Sequence, residues 1–337
     1  MTPRTRLRAA ALVLLASLLV PVSAAAAAGA APDGAAWSVQ TGDDNGEGRA
    51  NFSYAAQPGD VISDTMIVRN TGTIELPLEV YAADAFTTPT GNIDILPAGT
   101  PSTGAGAWVS PDVDHLALQP GQEASVAFTI AVPEGARPGD HSAAIVTSLT
   151  TQDAEQPLEV DRRLGTRITV RVAGELVPDA AATIVSVDAV PTLNPLEPVV
   201  VRVVYRVENT GNTRIAGTEA LAVHTVAGLL RATSDAEPLP EILPGSTVEL
   251  VREVPAISLG WVGGDVALAV EGVGLGAGAL APVSLEFSAV AVPWSLLAVL
   301  LIACAIAAGV LLWIRRRRTE VALEDGAATA DKDSLPS

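Results

Sequence analysis

Val61-Ile62-Ser63-Asp64-Thr65-Met66-Ile67-Val68-Arg69-Asn70-Thr71-Gly72 decides the fold, because a run of strand-forming residues ends abruptly in Asn-Thr-Gly. β-branched and apolar side chains fit a pleated, half-buried surface, and Asn with Gly marks a turn where a left-handed residue is expected. The same sentence is written again further on. Val199-Val200-Val201-Arg202-Val203-Val204-Tyr205-Arg206-Val207-Glu208 ends at Asn209-Thr210-Gly211. Working outward, Leu118-Gln119-Pro120-Gly121 precedes an apolar strand, as does Leu243-Pro244-Gly245. Pro138-Gly139-Asp140 precedes the next strand of the first set, and Gly263-Gly264-Asp265 reads as the matching turn of the second. Short strands with Gly and Pro turns, and no sustained helical period, predict an all-β chain. The repeated order predicts two immunoglobulin-like β-sandwich domains in tandem, at 36–175 and 178–288. The first copy carries extra chain at 87–106, rich in Thr, Pro, Gly and Ser, and a long loop on a rigid sandwich is a place for binding.

The ends of the 337-residue chain are apolar for a different reason. Residues 1–28 have a basic start at Arg4, Arg6 and Arg8, an apolar stretch, and a small-residue finish, which is the plan of a secretory signal peptide. From 287 to 314 there is no charge, and the run stops at Arg315, Arg316, Arg317 and Arg318. Trp294 and Trp313 stand 19 residues apart, roughly 28 Å at the helical rise, close to the hydrocarbon thickness of a bilayer. A single transmembrane α-helix over 291–314 is therefore expected, with both indoles at headgroup level. The arginines place the tail, 315–337, in the cytoplasm and the two sandwiches outside, a single-pass type I cell-membrane topology. The lone cysteine, Cys304, falls inside the apolar segment, so the exported domains hold no disulfide.

Charge and motifs narrow the function. Between the two apolar segments 12 arginines face 33 acidic residues, a field that repels nucleic acid. The three histidines, His115, His141 and His224, are widely spaced, and no nucleophile, metal or phosphate motif accompanies them. A catalytic role, a cofactor, a metal and a small-molecule substrate are not expected. Candidate ligand contacts are Trp108, Asp112, Asp114 and His141. Each has a plainer reading: Trp108 as a sandwich-core or strand-edge residue, Asp112 and Asp114 as an exposed acidic turn, His141 as a turn-capping residue. Asp43-Asp44-Asn45-Gly46-Glu47 offers oxygens to calcium but lacks the twelve-residue loop pattern. With aromatics at 4% of the chain, a sugar-stacking lectin surface is poorly supplied.

Phe52-x-Tyr54, Pro58-Gly59-Asp60, Val68-Arg69-Asn70-Thr71-Gly72, Trp108, Leu118-x-Pro120-Gly121, Phe128-x-Ile130-x-Val132-Pro133 and Pro138-Gly139-Asp140-His141 occur in that order. This ordered set resembles the peptidoglycan-binding domain of WxL-interacting proteins, surface proteins of Gram-positive bacteria, over about 37–175. The second domain departs from that family's pattern, and the Ala, Arg and Val bias with a single Lys suggests a high-GC actinobacterium. The resemblance implies a membrane-anchored surface protein whose first domain binds peptidoglycan or a wall-associated protein. The other reading is an assembly or scaffold subunit of a surface complex with no direct wall binding. In both, the bilayer is engaged through one helix.

Overall fold

A computed structural model describes residues 34–42, 49–152, 159–190, 194, 197–225, 228, 230–258, 260–274 and 278–332. The segment read as a signal peptide and the acidic stretch 43–47 lie outside the described residues. The chain is all-β, two immunoglobulin-like sandwiches in tandem followed by one apolar helix.

In the first sandwich, one sheet runs in the order β1 (Trp37–Thr41), β3 (Val61–Asn70), β8 (Glu123–Ala131), β6 (Val109–Pro111). The facing sheet runs β2 (Phe52–Ala56), β10 (Glu159–Val172), β9 (Gly139–Gln152), β4 (Leu76–Thr87), β5 (Ile93–Ile95), with β7 (His115–Leu118) also on β4. Only β2 and β10 pair in parallel; the other pairs are antiparallel. Alternation buries Val126, Phe128 and Ile130 of β8 against Ile145, Ile168 and Val170 of the other sheet. Phe128 meets Phe52 edge-on at 4.9 Å between ring centres.

The second sandwich sets β11 (Ala180–Val190), β12 (Val199–Asn209) and β16 (Thr247–Ala256) against a sheet ordered β14 (Leu230–Thr233), β13 (Ile215–Thr225), β17 (Gly260–Gly272), β18 (Val283–Ala291). β15 (Glu237–Ile242) also lies on β13. Val201, Val203, Tyr205 and Val207, alternate residues of β12, fill the centre of its core.

Both Asn-Thr-Gly corners are built alike, and not for the reason expected from sequence. The Asn70 side-chain amide donates to the carbonyls of Ile74 and Leu118, both at 2.8 Å, and its Oδ1 accepts from Gly72 N–H. Asn209 donates to Thr213 and Ile242 at 2.7 and 2.8 Å, and accepts from Gly211 N–H. Both are fully buried. Each Asn backbone is also bound by its Pro-Gly turn: Gly121 N–H donates to the Asn70 carbonyl, and Gly245 N–H to that of Asn209. Gly72 and Gly211 do not have the positive φ anticipated for such a turn. They are glycine because the chain entering each domain passes too close for a side chain. A Cβ on Gly72 would lie 2.2 Å from the Gly34 carbonyl oxygen, and one on Gly211 2.4 Å from that of Val177.

The expected turn at Gly263-Gly264-Asp265 is also corrected, since these residues sit inside β17. Gly263 is overhung by the Trp261 ring and Gly264 by Phe287, whose Cζ would lie 2.5 Å from an added Cβ. The positive φ that starts β17 belongs to Gly260, as that of Gly139 starts β9.

Strand β18 continues to Ala291, beyond the expected domain end at 288. The helix α1 then runs Trp294–Lys332, through the arginines and well into the segment expected as a plain tail. Alanine, glutamate and leucine between 320 and 330 are strong helix formers, which accounts for the continuation. Its portion Trp294–Arg315 is long and apolar enough to cross a membrane, and none of it is covered by the sandwiches.

Replacing Asn209 by Ala leaves two buried carbonyls without donors, and replacing Asn70 leaves the buried carbonyl of Leu118 and the half-buried one of Ile74. Each variant should lose about 3 kcal/mol in urea unfolding followed by tryptophan fluorescence. Thr71→Ala, at an exposed position of the same corner, should change stability by no more than about 0.5 kcal/mol.

Candidate functional site

The Pro138-Gly139-Asp140 turn, where β9 begins, is the joint between the domains. Gly139 takes φ +124°, and a Cβ there would strike the Asn212 carbonyl oxygen at 2.2 Å. The Asp140 N–H donates to that oxygen at 2.8 Å, and the Asn212 side-chain amide donates to the carbonyls of Pro138 and Glu175. The Asp140 side chain is wholly buried. It accepts two hydrogen bonds from the Arg171 guanidinium, at 2.7 and 2.8 Å, and one from the Arg214 backbone N–H at 2.9 Å. Arg214 also reaches Glu241 at 3.0 Å, and Glu241 is gripped by Arg167 at 3.0 Å. Arg167, Arg171 and Asp140 belong to the first domain, Arg214 and Glu241 to the second. Alternating charge thus crosses the boundary as one network. Burial pushes the Asp140 carboxyl up. Hydrogen bonds from Arg171 and the Arg214 N–H, with the two cationic charges, outweigh that and hold it below the usual carboxylate range.

The extra chain of the first domain serves the same joint. Thr87 is buried: its N–H donates to Ser246 Oγ at 3.1 Å, and its hydroxyl accepts from Leu243 N–H at 3.0 Å. The Pro89 carbonyl accepts from Glu249 N–H at 2.7 Å, extending the contact onto β16. The 102–106 segment is folded by a carboxylate, for Asp84 accepts the N–H groups of Thr103, Gly104 and Gly106 at 2.6 to 2.8 Å.

Beside the joint lies an open cleft of about 340 Å³. Its first-domain wall includes Thr103, Gly104, Arg137, His141 and Ser142, and the second domain supplies Gly211, Asn212, Leu243 and Pro244. The Ser142 hydroxyl is buried and has no hydrogen-bond partner among the described residues. His141 Nε2 donates to the Arg137 carbonyl at 2.8 Å, and its ring lies 4.6 Å from that of Trp108.

Of the residues singled out from sequence, Trp108 and His141 are brought together, and His141 lines this cleft. Trp108 ends the short 3-10 turn Ala105–Trp108 and packs on the core. Asp112 and Asp114 stand apart in the exposed bend between β6 and β7. The joint's charged residues were missed. Arg163, Arg167 and Arg171 are spaced by four, which in a strand puts them on one face, and that was the available sign. Trp294 is exposed at the first turn of α1, as are Trp313 and Arg315 near the far end of the apolar segment. Arg316, Arg317 and Arg318 are described in their helical backbone only. Among the described residues no group of His, Cys, Asp and Glu could hold a metal ion.

No protein-family model matches the chain, and no curated protein matches it. Solved structures similar to parts of it include the chaperone–tip adhesin complex of CFA/I fimbriae. That match has 11% identity and a TM-score of 0.34, covering 77% of this chain and 99% of that one. The YadV chaperone matches with 11% identity and a TM-score of 0.34, covering 75% and 98%. A third is the CsuC–CsuE chaperone–tip adhesion subunit complex from Csu pili of Acinetobacter baumannii, with 11% identity, a TM-score of 0.36, and 74% and 97% covered. At such TM-scores neither kinship nor ligand follows.

Asp140→Asn should cost about 3 kcal/mol at pH 7, because both arginines lose a buried partner charge. The depressed carboxyl stabilises the fold fully above its ordinary value of 3.8 and ceases to do so as pH falls through the lower folded value. The stability gap between wild type and variant, read by urea titration at pH 7, 4 and 3, should therefore close toward acid.

Proposed function

We propose that this chain is a non-catalytic cell-surface protein, anchored by α1 in a type I sense, that captures a wall-associated protein at the cleft between its sandwiches. The observation that carries the reading is a cleft lined by both sandwiches, where Thr103, Gly104, Gly211 and Asn212 stand beside Arg137 and His141 and the Ser142 hydroxyl has no partner among the described residues. Glycines and small polar residues leave main-chain groups approachable, which suits an extended polypeptide better than a sugar ring. Trp108 already packs on His141 and the core. The apolar segment of α1 with Arg315 at its end supports the anchoring half of the reading. The second reading is direct binding of peptidoglycan by the first sandwich, favoured by the ordered motifs from Phe52 to His141 that resemble the WxL-interacting family.

Photo-crosslinkers placed at Thr103 and Arg137 of the full chain on intact cells, followed by identification of the adducts, separate the two. A defined protein adduct, reduced at least about fivefold by Ser142→Trp filling the cleft, is the expected outcome. Co-sedimentation of the purified full chain with peptidoglycan sacculi, unaffected by that substitution, would instead favour the second reading.

A further inference from the structure

The end of the second sandwich facing away from the joint is apolar, and it is the end from which the helix leaves. Strand register fixes this. Ala291, the last residue of β18, pairs with Gly260, the first of β17, and Trp261 pairs with Val290. Thr225 pairs with both Val262 and Leu230, and Val190 pairs with Val200, next to Val199 and its partner Ala256. Five large apolar side chains gathered there are exposed: Val190, Leu230 (43%), Ile257 (58%), Trp261 (43%) and Val290 (74%). Leu230 and Ile257 flank an apolar recess of about 280 Å³ that also reaches Val223 and Pro255. Glu197 and Arg231 are the charged residues described at its rim, and the row Asp188, Arg202 and Glu253 lies two residues further in by register. The opposite end carries the Asp140, Arg214 and Glu241 network.

Exposed apolar side chains are ordinary when scattered but not when collected at one pole. Here the pole has no room to stand off from whatever surrounds the helix. Only Val292 and Pro293 separate β18 from Trp294, and the Trp294 N–H closes back on the Val292 carbonyl at 2.9 Å. The loop presenting Ile257 is tied to the same point. The buried Ser258 hydroxyl donates to the Ala291 carbonyl and accepts from Gly260 N–H. Ile257, Val290 and the start of the helix are thereby held as one piece.

We infer that the helix-side pole of the second sandwich is a membrane-contact surface, seated in the headgroup region of the leaflet that α1 enters. Val190, Leu230, Ile257 and Val290 are its lipid-facing side chains. Trp294, exposed at the first turn of α1, is an aromatic side chain of the kind found at a lipid–water boundary. This inference rests on α1 spanning a bilayer, and the test keeps the two apart.

The full chain carrying Cys304→Ser is reconstituted in vesicles of phosphatidylcholine and phosphatidylglycerol, with one cysteine at Leu230, Ile257 or Val61 bearing an environment-sensitive fluorophore. Val61 is an exposed control on the first sandwich. Native Cys304, labelled in the otherwise unaltered chain, reports on the anchor. Lipids with nitroxides at headgroup depth should quench the Leu230 and Ile257 probes at least about threefold more than the Val61 probe. Quenching at the Val61 level, with Cys304 quenched by deep nitroxides, overturns the contact surface while leaving the anchor intact. An unquenched Cys304 overturns both. Probes shielded from water yet unquenched by lipid, with shielding that grows with protein density, would mean a second copy covers the pole and would also overturn the inference.

Discussion

One buried asparagine, used twice, organises this molecule. A side-chain amide sealed from water must satisfy two donors and an acceptor, and Asn70 and Asn209 do so with carbonyls and an N–H from separate stretches of chain. Each therefore fixes where a central strand ends, where the Pro-Gly turn sits, and how the chain between them returns. Close packing at the following glycine then pins the segment that enters the domain. At Gly72 that segment is 34–36, the start of the first sandwich. At Gly211 it is 177–179, which is the linker between the sandwiches.

Rigidity between the domains follows from that coincidence. The corner which orders the second sandwich holds the linker as well, with Asn212 donating to the Glu175 carbonyl and accepting from Val177 N–H at 2.7 Å. Asn212 also reaches the Pro138 carbonyl, so the same residue touches both bodies. The Asp140 network then adds ionic contacts, in which Arg171 and Arg214 together neutralise the one wholly buried carboxylate. The linker is clipped at the Glu175 carbonyl, at both backbone groups of Val177 and at the Asp179 carbonyl.

Legibility in the sequence tracked local chemistry. Strand and turn signals, two sandwiches and one apolar helix could be read because alternation and Asn, Pro and Gly punctuation act over a few residues. The mistakes arose where a glycine's reason was not local. Gly72 and Gly211 looked like left-handed turn residues but are there for a neighbouring chain, and Gly263 and Gly264 looked like a turn but make room for Trp261 and Phe287. The site was less legible than the fold. Pro138-Gly139-Asp140-His141 stood out as a motif, yet nothing in it reveals that Asp140 meets Arg214, 74 residues away. The 87–106 excess read as a free binding loop, whereas its first residues brace the second sandwich.

Two joints without slack have a geometric consequence. With α1 across a bilayer, Val292 and Pro293 leave the second sandwich no height to gain at one end, and the clipped linker leaves the first sandwich none at the other. The cleft then stands off the membrane by about one strand length. That is roughly 36 Å for the eleven residues of β12 or β13 at 3.3 Å each. A partner reaching Ser142 has to come that near the membrane or extend a segment down to it. The acidic surface sets a further condition, because 33 carboxylates against 12 guanidinium groups repel anionic polymers at a distance. Neutral or basic polypeptide meets no such barrier, which is the condition the proposed capture of a polypeptide requires.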